Sequence, residues 1–311
     1  MANVYETVTA QIVAALEKGT VAGKKWRRPW HTTGTDPFGP LNVVSRKPYR
    51  GINTLCLWAA AQANGWTCGE WATFQQWKQK DAHVRRGAKA TLVVFWKFGR
   101  SAADTEDDAE SEEENQGEER LLFTKGYHVF NAAQVEGYAI PEPLPVPALV
   151  IDDRFKSTHK FFRAIGAKVS HGGNRASYSP TLDAIRLPHY ADFESPEHYY
   201  STSAHEHCHW TGADSRLARN LEHRFGSDKY AMEELVAELG AAFLCAHLGL
   251  ESQPREDHAI YLQSWLTRLK SDSRAIFVAA GKAQRAADFL ILTAAKHPLT
   301  LRDRAGVEAV A

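Results

Sequence analysis

The segment SPEHYYSTSAHEHCHWTG, residues 195 to 212, contains the pattern HExxH as His205-Glu206-His207-Cys208-His209. Ser195 is placed to cap a helix, Pro196 suits a first helical position, where its missing N–H costs nothing, and Gly212 suits the exit. Positions four apart on a helix stand one above the other, so His205 and His209 can present both imidazoles to one metal ion. Glu206 then lies beside them, where it can take the proton of a water acidified by the metal as that water attacks an amide carbonyl. The chemistry expected is metal-dependent amide hydrolysis, with Zn2+ or another divalent ion such as Mn2+ as cofactor.

A catalytic zinc site needs a third protein ligand. The pattern HExxHxxGxxH would supply it from position 215, but that residue is Ser215, although Gly212 fits. The alternative is a Glu on the next helix, and MEELVAELGAAFLCAHL, Met232 to Leu248, reads as such a helix, with small residues that allow close approach. Glu234 and Glu238 lie one turn apart on one of its faces; Glu234 is assigned to the metal, Glu238 to a hydrogen bond with a ligand imidazole, and Glu233 is the fallback ligand. His207 is read as structural or surface and Cys208 as packing, and His198, His223 and His247 as structural.

Outward from this motif, SYSPTLDAIRLP, Ser177 to Pro188, reads as two short strands, with Asp183 to Pro188 either an ordinary sheet edge or an edge that pairs with an extended peptide. Helices over Ala259 to Lys270 and Ser271 to Lys296 complete a mostly helical domain spanning 151–311. Before it, PEPLPVPALV, Pro141 to Val150, reads as an extended spacer and marks the domain junction.

The first domain, 1–140, differs in charge. The chain has 37 Lys and Arg against 37 Asp and Glu, but residues 1–100 hold 15 against 5, and residues 101–120 hold 1 against 10. A basic first third implies a polyanionic partner. The acidic stretch has no aliphatic residue larger than alanine and no aromatic, which predicts a mobile loop that either is simply solvated or competes with nucleic acid for the basic surface. A helix is expected over Val4 to Lys18, others over Asn53 to Gln62 and Glu70 to Lys80, and paired strands from Thr91 and from Leu121, making a small α+β module.

Seven of the nine tryptophans precede Arg100. Single-stranded nucleic acid calls for this mixture, because cations neutralise phosphates while flat rings stack on bases. Trp58, Trp71, Trp77 and Trp96 sit on apolar faces and are expected in the core. The residues expected to grip DNA are Lys24, Lys25, Trp26, Arg27, Arg28 and Trp30 in one cluster, Lys47, Tyr49 and Arg50 in a second, and Arg85 and Arg86 in a third.

The composition, 44% apolar and 24% charged, excludes collagen, coiled coil and wholesale disorder. No apolar run approaches the roughly 20 residues needed to span a bilayer, so no membrane partner is expected. No signal peptide is evident, and Cys56, Cys68, Cys208 and Cys245 form no CxxC pair, which fits free thiols in a bacterial cytoplasm.

Taken together, these motifs resemble the plasmid antirestriction family ArdC. WRRPW (26–30), LNVVSRKPYRGINTLCLW (41–58), WATFQQW (71–77) and VRRGAKATLVVFW (84–96) are similar to its N-terminal single-stranded-DNA-binding domain, which TraC-type primases share. HEHCHWTG (205–212) and YAMEELVAELGAAFLCAHLG (230–249) are similar to its zinc-peptidase-like domain. The resemblance implies an α+β chain of two domains, the second zincin-like, that binds incoming single-stranded plasmid DNA and protects it from the recipient's restriction enzymes. It implies ligand roles for His205, His209 and Glu234 and a general-base role for Glu206. Two rival expectations remain: a general metallopeptidase whose basic domain recruits a host protein substrate, and a DNA-binding protein whose metal is purely structural.

Overall fold

Val8, Ile12 and Leu16 recur at helical spacing and are fully buried on α1 (Val4–Lys18). The structure is a computed structural model that describes residues 4–18, 39–99, 120–140, 148–219, 221, 227–250 and 262–296. The short strand β1 (Leu41–Asn42) leads to α2 (Ile52–Asn64), which ends on Gly65 in the left-handed region at φ 68°, where a side chain would be strained. Next come β2 (Glu70–Thr73), the five-residue α3 (Phe74–Lys78), β3 (His83–Val84), β4 (Thr91–Gly99), β5 (Arg120–Asn131) and β6 (Val135–Glu136). Four strands form a sheet in the order β1-β2-β5-β4, and β3 pairs with β6. The acidic segment 101–120 lies outside the described residues except for Arg120, which begins β5.

The helix expected over Glu70–Lys80 is instead a strand followed by a short helix. Trp71 pairs across from Asn131 in the sheet, and Thr73 ends the strand by capping α3, accepting from the Gln76 N–H at 3.3 Å while the Gln76 side chain accepts from the Thr73 N–H at 3.0 Å. Trp71 and Trp77 are both buried, but in different clusters, and Phe74 is 53% exposed, so their three-residue spacing does not mark one helical face. The Pro-rich spacer is also shorter than expected: Ala148–Val150 already belong to α4, and 141–147 lie outside the described residues.

The second half consists of α4 (Ala148–Ile165), β7 (Lys168–His171), β8 (Ser177–Ser179), β9 (Ala184–Leu187), α5 (Pro196–Trp210), α6 (Asp228–His247), α7 (Leu262–Ser271) and α8 (Ala275–Lys296). β9 is not an edge. It pairs parallel with β7 and antiparallel with β8, so both of its hydrogen-bonding sides are occupied and Asp183–Pro188 offers no free edge to a peptide. Among the described residues no helix is long and apolar enough to cross a membrane.

The hydrophobic cores do not respect the division of the chain. The largest cluster joins Val8, Ile12 and Leu16 of α1 and Leu55 and Trp58 of α2 to Leu235 and Phe243 of α6, Trp265 of α7 and Ile276 of α8. Polar contacts cross the same seam: Thr9 Oγ1 donates to the Ser273 carbonyl at 2.6 Å, Gly51 N–H to Gln284 Oε1 at 3.0 Å, and Arg50 pairs with Asp288. A second cluster packs α4, α5, α6 and α8 around Tyr200, Ala204 and Leu244 and positions the motif helix.

Candidate metal centre

The Ser195 hydroxyl accepts from the His198 N–H at 3.1 Å and Pro196 follows it, so α5 starts as its sequence predicts. The helix is buried almost throughout, which holds His205, Glu206 and His209 on a fixed frame. α6 lies against it. Gly240 makes the approach close: a Cβ there would stand 2.7 Å from Cys208 Sγ on α5 and 3.4 Å from the Ala283 carbonyl of α8.

Across this contact, one ligand atom each from His205, His209 and Glu234 lie within 4.8 Å of one another. The two Nε2 atoms are 3.1 Å apart, with Glu234 Oε2 3.4 Å from His205 Nε2 and Oε1 3.5 Å from His209 Nε2. Tetrahedral ligands bonded at about 2.0–2.1 Å stand roughly 3.3 Å apart, so these separations fit a small divalent cation. The outer nitrogens face carboxylates: His205 Nδ1 is 3.6 Å from Glu238 and His209 Nδ1 is 3.3 Å from Glu233. A carboxylate beside Nδ1 favours the tautomer with its hydrogen there, which would turn the two Nε2 lone pairs toward each other. Such a pair requires a proton or a metal cation between them.

Burial disfavours a charged His209 imidazole, but the Glu234 and Glu233 carboxylates outweigh burial and push it up to about 10. Glu234 is likewise opposed by burial and pulled well below the usual carboxylate range by His209 and His205. His205, His209 and Glu234 would hold a divalent cation, and binding it would compete with protonation of the imidazoles.

Glu233 is occupied elsewhere. Arg219, a residue with no mark in the sequence, donates to it from Nη2 at 2.9 Å and from Nε at 3.1 Å, and also donates to Thr211 Oγ1 at 2.9 Å and the Cys208 carbonyl at 2.7 Å. Glu206 is buried on α5 within the same turn as the two imidazoles, and Glu238 is buried on α6. His207 and Cys208 turn away from the cluster, as expected: burial pushes His207 down to about 4, its Nδ1 stands 2.7 Å from the Ser203 carbonyl, and its ring packs on Phe162. At the exit of α5, Arg216 stacks on Trp210 at 3.9 Å and pairs with Asp183, which ties the β8–β9 turn to the motif helix.

Of the residues expected to bind DNA, Lys47, Tyr49, Arg50, Arg85 and Arg86 are among the described residues. Lys24, Lys25, Trp26, Arg27, Arg28 and Trp30 lie outside the described residues. Lys47 and Arg86 face solvent. Tyr49 is half-buried and its hydroxyl accepts from the Asn42 amide at 3.2 Å, while Arg50 is engaged by Asp288. Arg85 donates to the Ala133 carbonyl at 3.2 Å and lies 3.6 Å from Glu136. Trp58, Trp71 and Trp77 are in the core as expected. Tyr49, Trp58, Phe243, His247 and Asp288 line a cavity of about 160 Å3 at the seam between the halves.

Two histidines, His205 buried and His209 partly so, and a buried glutamate converging between packed helices, beside a three-stranded sheet, define a zincin-like metallopeptidase domain, and residues 156–282 match that family. Residues 2–130 match the N-terminal domain of the anti-restriction factor ArdC. The chain is 46% identical over 289 residues to the uncharacterized protein y4eC of Sinorhizobium fredii, covering 93% of this chain and 91% of that one. It is 36% identical to DNA primase TraC of Escherichia coli over 92% of its own length but only 27% of the primase. Among solved structures, metal-free ArdC from plasmid R388 superposes with a TM-score of 0.72 at 40% identity, covering 95% of this chain and 99% of that one. The Mn(II)-bound form of that protein gives 0.71 at 39% identity, covering 94% and 99%. The chain belongs to the ArdC family of antirestriction proteins, and its zincin-like domain implies a divalent metal.

Proposed function

We propose that the chain binds single-stranded DNA through its basic N-terminal half and cleaves a peptide bond at the His205–His209–Glu234 centre, protecting incoming plasmid DNA from restriction in the recipient cytoplasm during conjugation. The observation that carries the reading is the convergence of three ligand atoms from two helices within 4.8 Å. His205, His209 and Glu234 would hold the ion, with Glu238 and Glu233 orienting the imidazoles. When bound, Zn2+ or Mn2+ supplies Lewis acidity at a peptide carbonyl. Glu206 takes a proton from the attacking water and delivers it to the departing amine. The DNA-binding half of the reading is supported by the charge excess of residues 1–100 and by the likeness to a primase. The peptide substrate is proposed to be a host protein.

Metal analysis of the purified protein, followed by comparison of wild type with Glu206→Ala, tests the hydrolytic reading. The variant is expected to retain one metal ion per chain and to lose peptide hydrolysis and protection together. A specific observation favours a second reading, that the metal only braces α5 against α6: His205, Glu206, Glu234 and Glu238 are all buried. Full antirestriction by metal-loaded Glu206→Ala would select that reading.

A further inference from the structure

β4 and β5 pair in the register Thr91↔Val129, Val93↔Tyr127 and Phe95↔Lys125. Residues directly opposite each other in an antiparallel pair project to one side, and alternate residues along a strand share a face, so these six side chains lie on a single face of the sheet. Its inner end is covered: Val93 and Val129 are buried with Leu57 of α2 and Trp71 of β2, and Tyr49 and Trp66 pack against them. One step farther along the strands that cover ends. Tyr127 is 39% exposed and Phe95 57% exposed. Their rings meet edge to face with centroids 6.4 Å apart, and the Lys125 ammonium stands 5.2 Å from the centre of the Tyr127 ring. On the opposite face of the same strands Val94 is buried in the cluster that contains α1, with Leu92 packed against it. Among the described residues the hairpin is therefore anchored on one side and covered only toward its inner end on the other.

An exposed apolar residue standing alone needs no explanation. Two adjacent rings on a rigid sheet with a cation over one of them form the arrangement on which bases of a single strand stack while a phosphate is neutralised beside them. The hairpin's first strand lies in the stretch where Lys and Arg outnumber Asp and Glu 15 to 5, whereas the segment 101–120 that joins its strands holds 1 against 10, so the local cation that would meet a phosphate is Lys125 itself. We propose that Phe95, Tyr127 and Lys125 form a base-stacking platform for single-stranded DNA. This inference rests on the reading of the N-terminal half as a single-strand-binding module.

The test is a fluorescence-anisotropy titration of the full chain with a labelled oligo-dT of about one platform-spanning length. Phe95→Ala with Tyr127→Ala is expected to weaken binding about 5- to 150-fold per ring lost. Phe95→Trp with Tyr127→Trp keeps two flat faces and is expected to retain the wild-type affinity, which separates loss of stacking from loss of fold. Lys125→Gln is expected to reduce the slope of log affinity against log salt by about 0.7, the value for one phosphate of a single strand. If wild type fails to bind the oligonucleotide at low salt, the module reading falls and the platform with it. If wild type binds and the double alanine variant binds equally well, the module reading stands, the platform is overturned, and the two rings become an apolar patch for a peptide.

Discussion

Arg219 decides which of two adjacent glutamates is available to a metal. Glu233 and Glu234 are one position apart on α6, and sequence spacing alone leaves both within reach of the imidazoles. The buried guanidinium takes Glu233, so Glu234 alone meets both Nε2 atoms. The HExxH pair was legible because its spacing is a property of one helix. Arg219 was not, because it arrives from a loop whose course depends on Ala218 at φ 47° and on the Thr211 and Cys208 acceptors it finds at the end of α5. Removing one partner of a buried pair leaves the other charge uncompensated, so Arg219→Met is expected to cost about 3–5 kcal/mol in urea unfolding at neutral pH. The pH dependence has a definite sign. Burial raises Glu233, but hydrogen bonds from His209 and Arg219 outweigh burial and hold it below its ordinary 4.5. A carboxylate lowered on folding contributes stability above its unfolded pKa and loses it as pH falls through the lowered folded value. The gap between wild type and Arg219→Met should accordingly be full above about pH 5 and shrink in stronger acid. A gap that stays constant down to pH 2 would contradict the assignment.

At the scale of elements, the strongly periodic segments were legible and the short ones were not. α1 and α8 fill whole helical faces with apolar residues. By contrast, Glu70–Lys80 mixes a four-residue strand with a five-residue helix, and the switch depends on the Thr73 cap and on pairing with β5, a partner about 60 residues away in sequence. β9 could be read as a strand from its own residues, but its central place depends on β7, whose four residues are all exposed and carry no alternating pattern. The small residues of α6 were legible as a close-approach surface, and Gly240 is where that surface matters most. Gly240→Ala would press a methyl to 2.7 Å from Cys208 Sγ, so the buried sulfur must turn aside or α5 must move outward, and outward movement would spread the three ligands. The expected result is a loss of about 1–3 kcal/mol in stability and weaker metal binding by isothermal titration. Cys208→Ala removes the clashing sulfur, so the double variant should recover metal affinity relative to Gly240→Ala. Wild-type affinity in the single variant would show that the helices are not held by this contact.

At the scale of the whole molecule, the change in charge and composition along the chain suggests two independent bodies, whereas the packing joins them. α6 carries Glu233, Glu234 and Glu238 and, one or two turns beyond Glu238, Phe243 and Ala246, which pack in one cluster with Trp58 of α2 and the buried face of α1. α7 and α8 complete that cluster, so the N-terminal helices cannot leave without exposing the second half's own core. Free energy gained at the metal centre must then stabilise the N-terminal half as well. A metal present at about 100 times its Kd adds roughly 2.7 kcal/mol to whatever unfolds with the site. Calorimetry is therefore expected to show one transition, and a chelator should lower its midpoint by several degrees without splitting it. Tryptophan fluorescence offers a probe weighted to the N-terminal half, because seven of the nine tryptophans lie there against Trp210 and Trp265 in the second half, and its midpoint should move by the same amount as the calorimetric one. A fluorescence midpoint that ignores the chelator while part of the heat absorption shifts would mean that the halves unfold separately. The shared cluster would then be a contact between two bodies and not a common core.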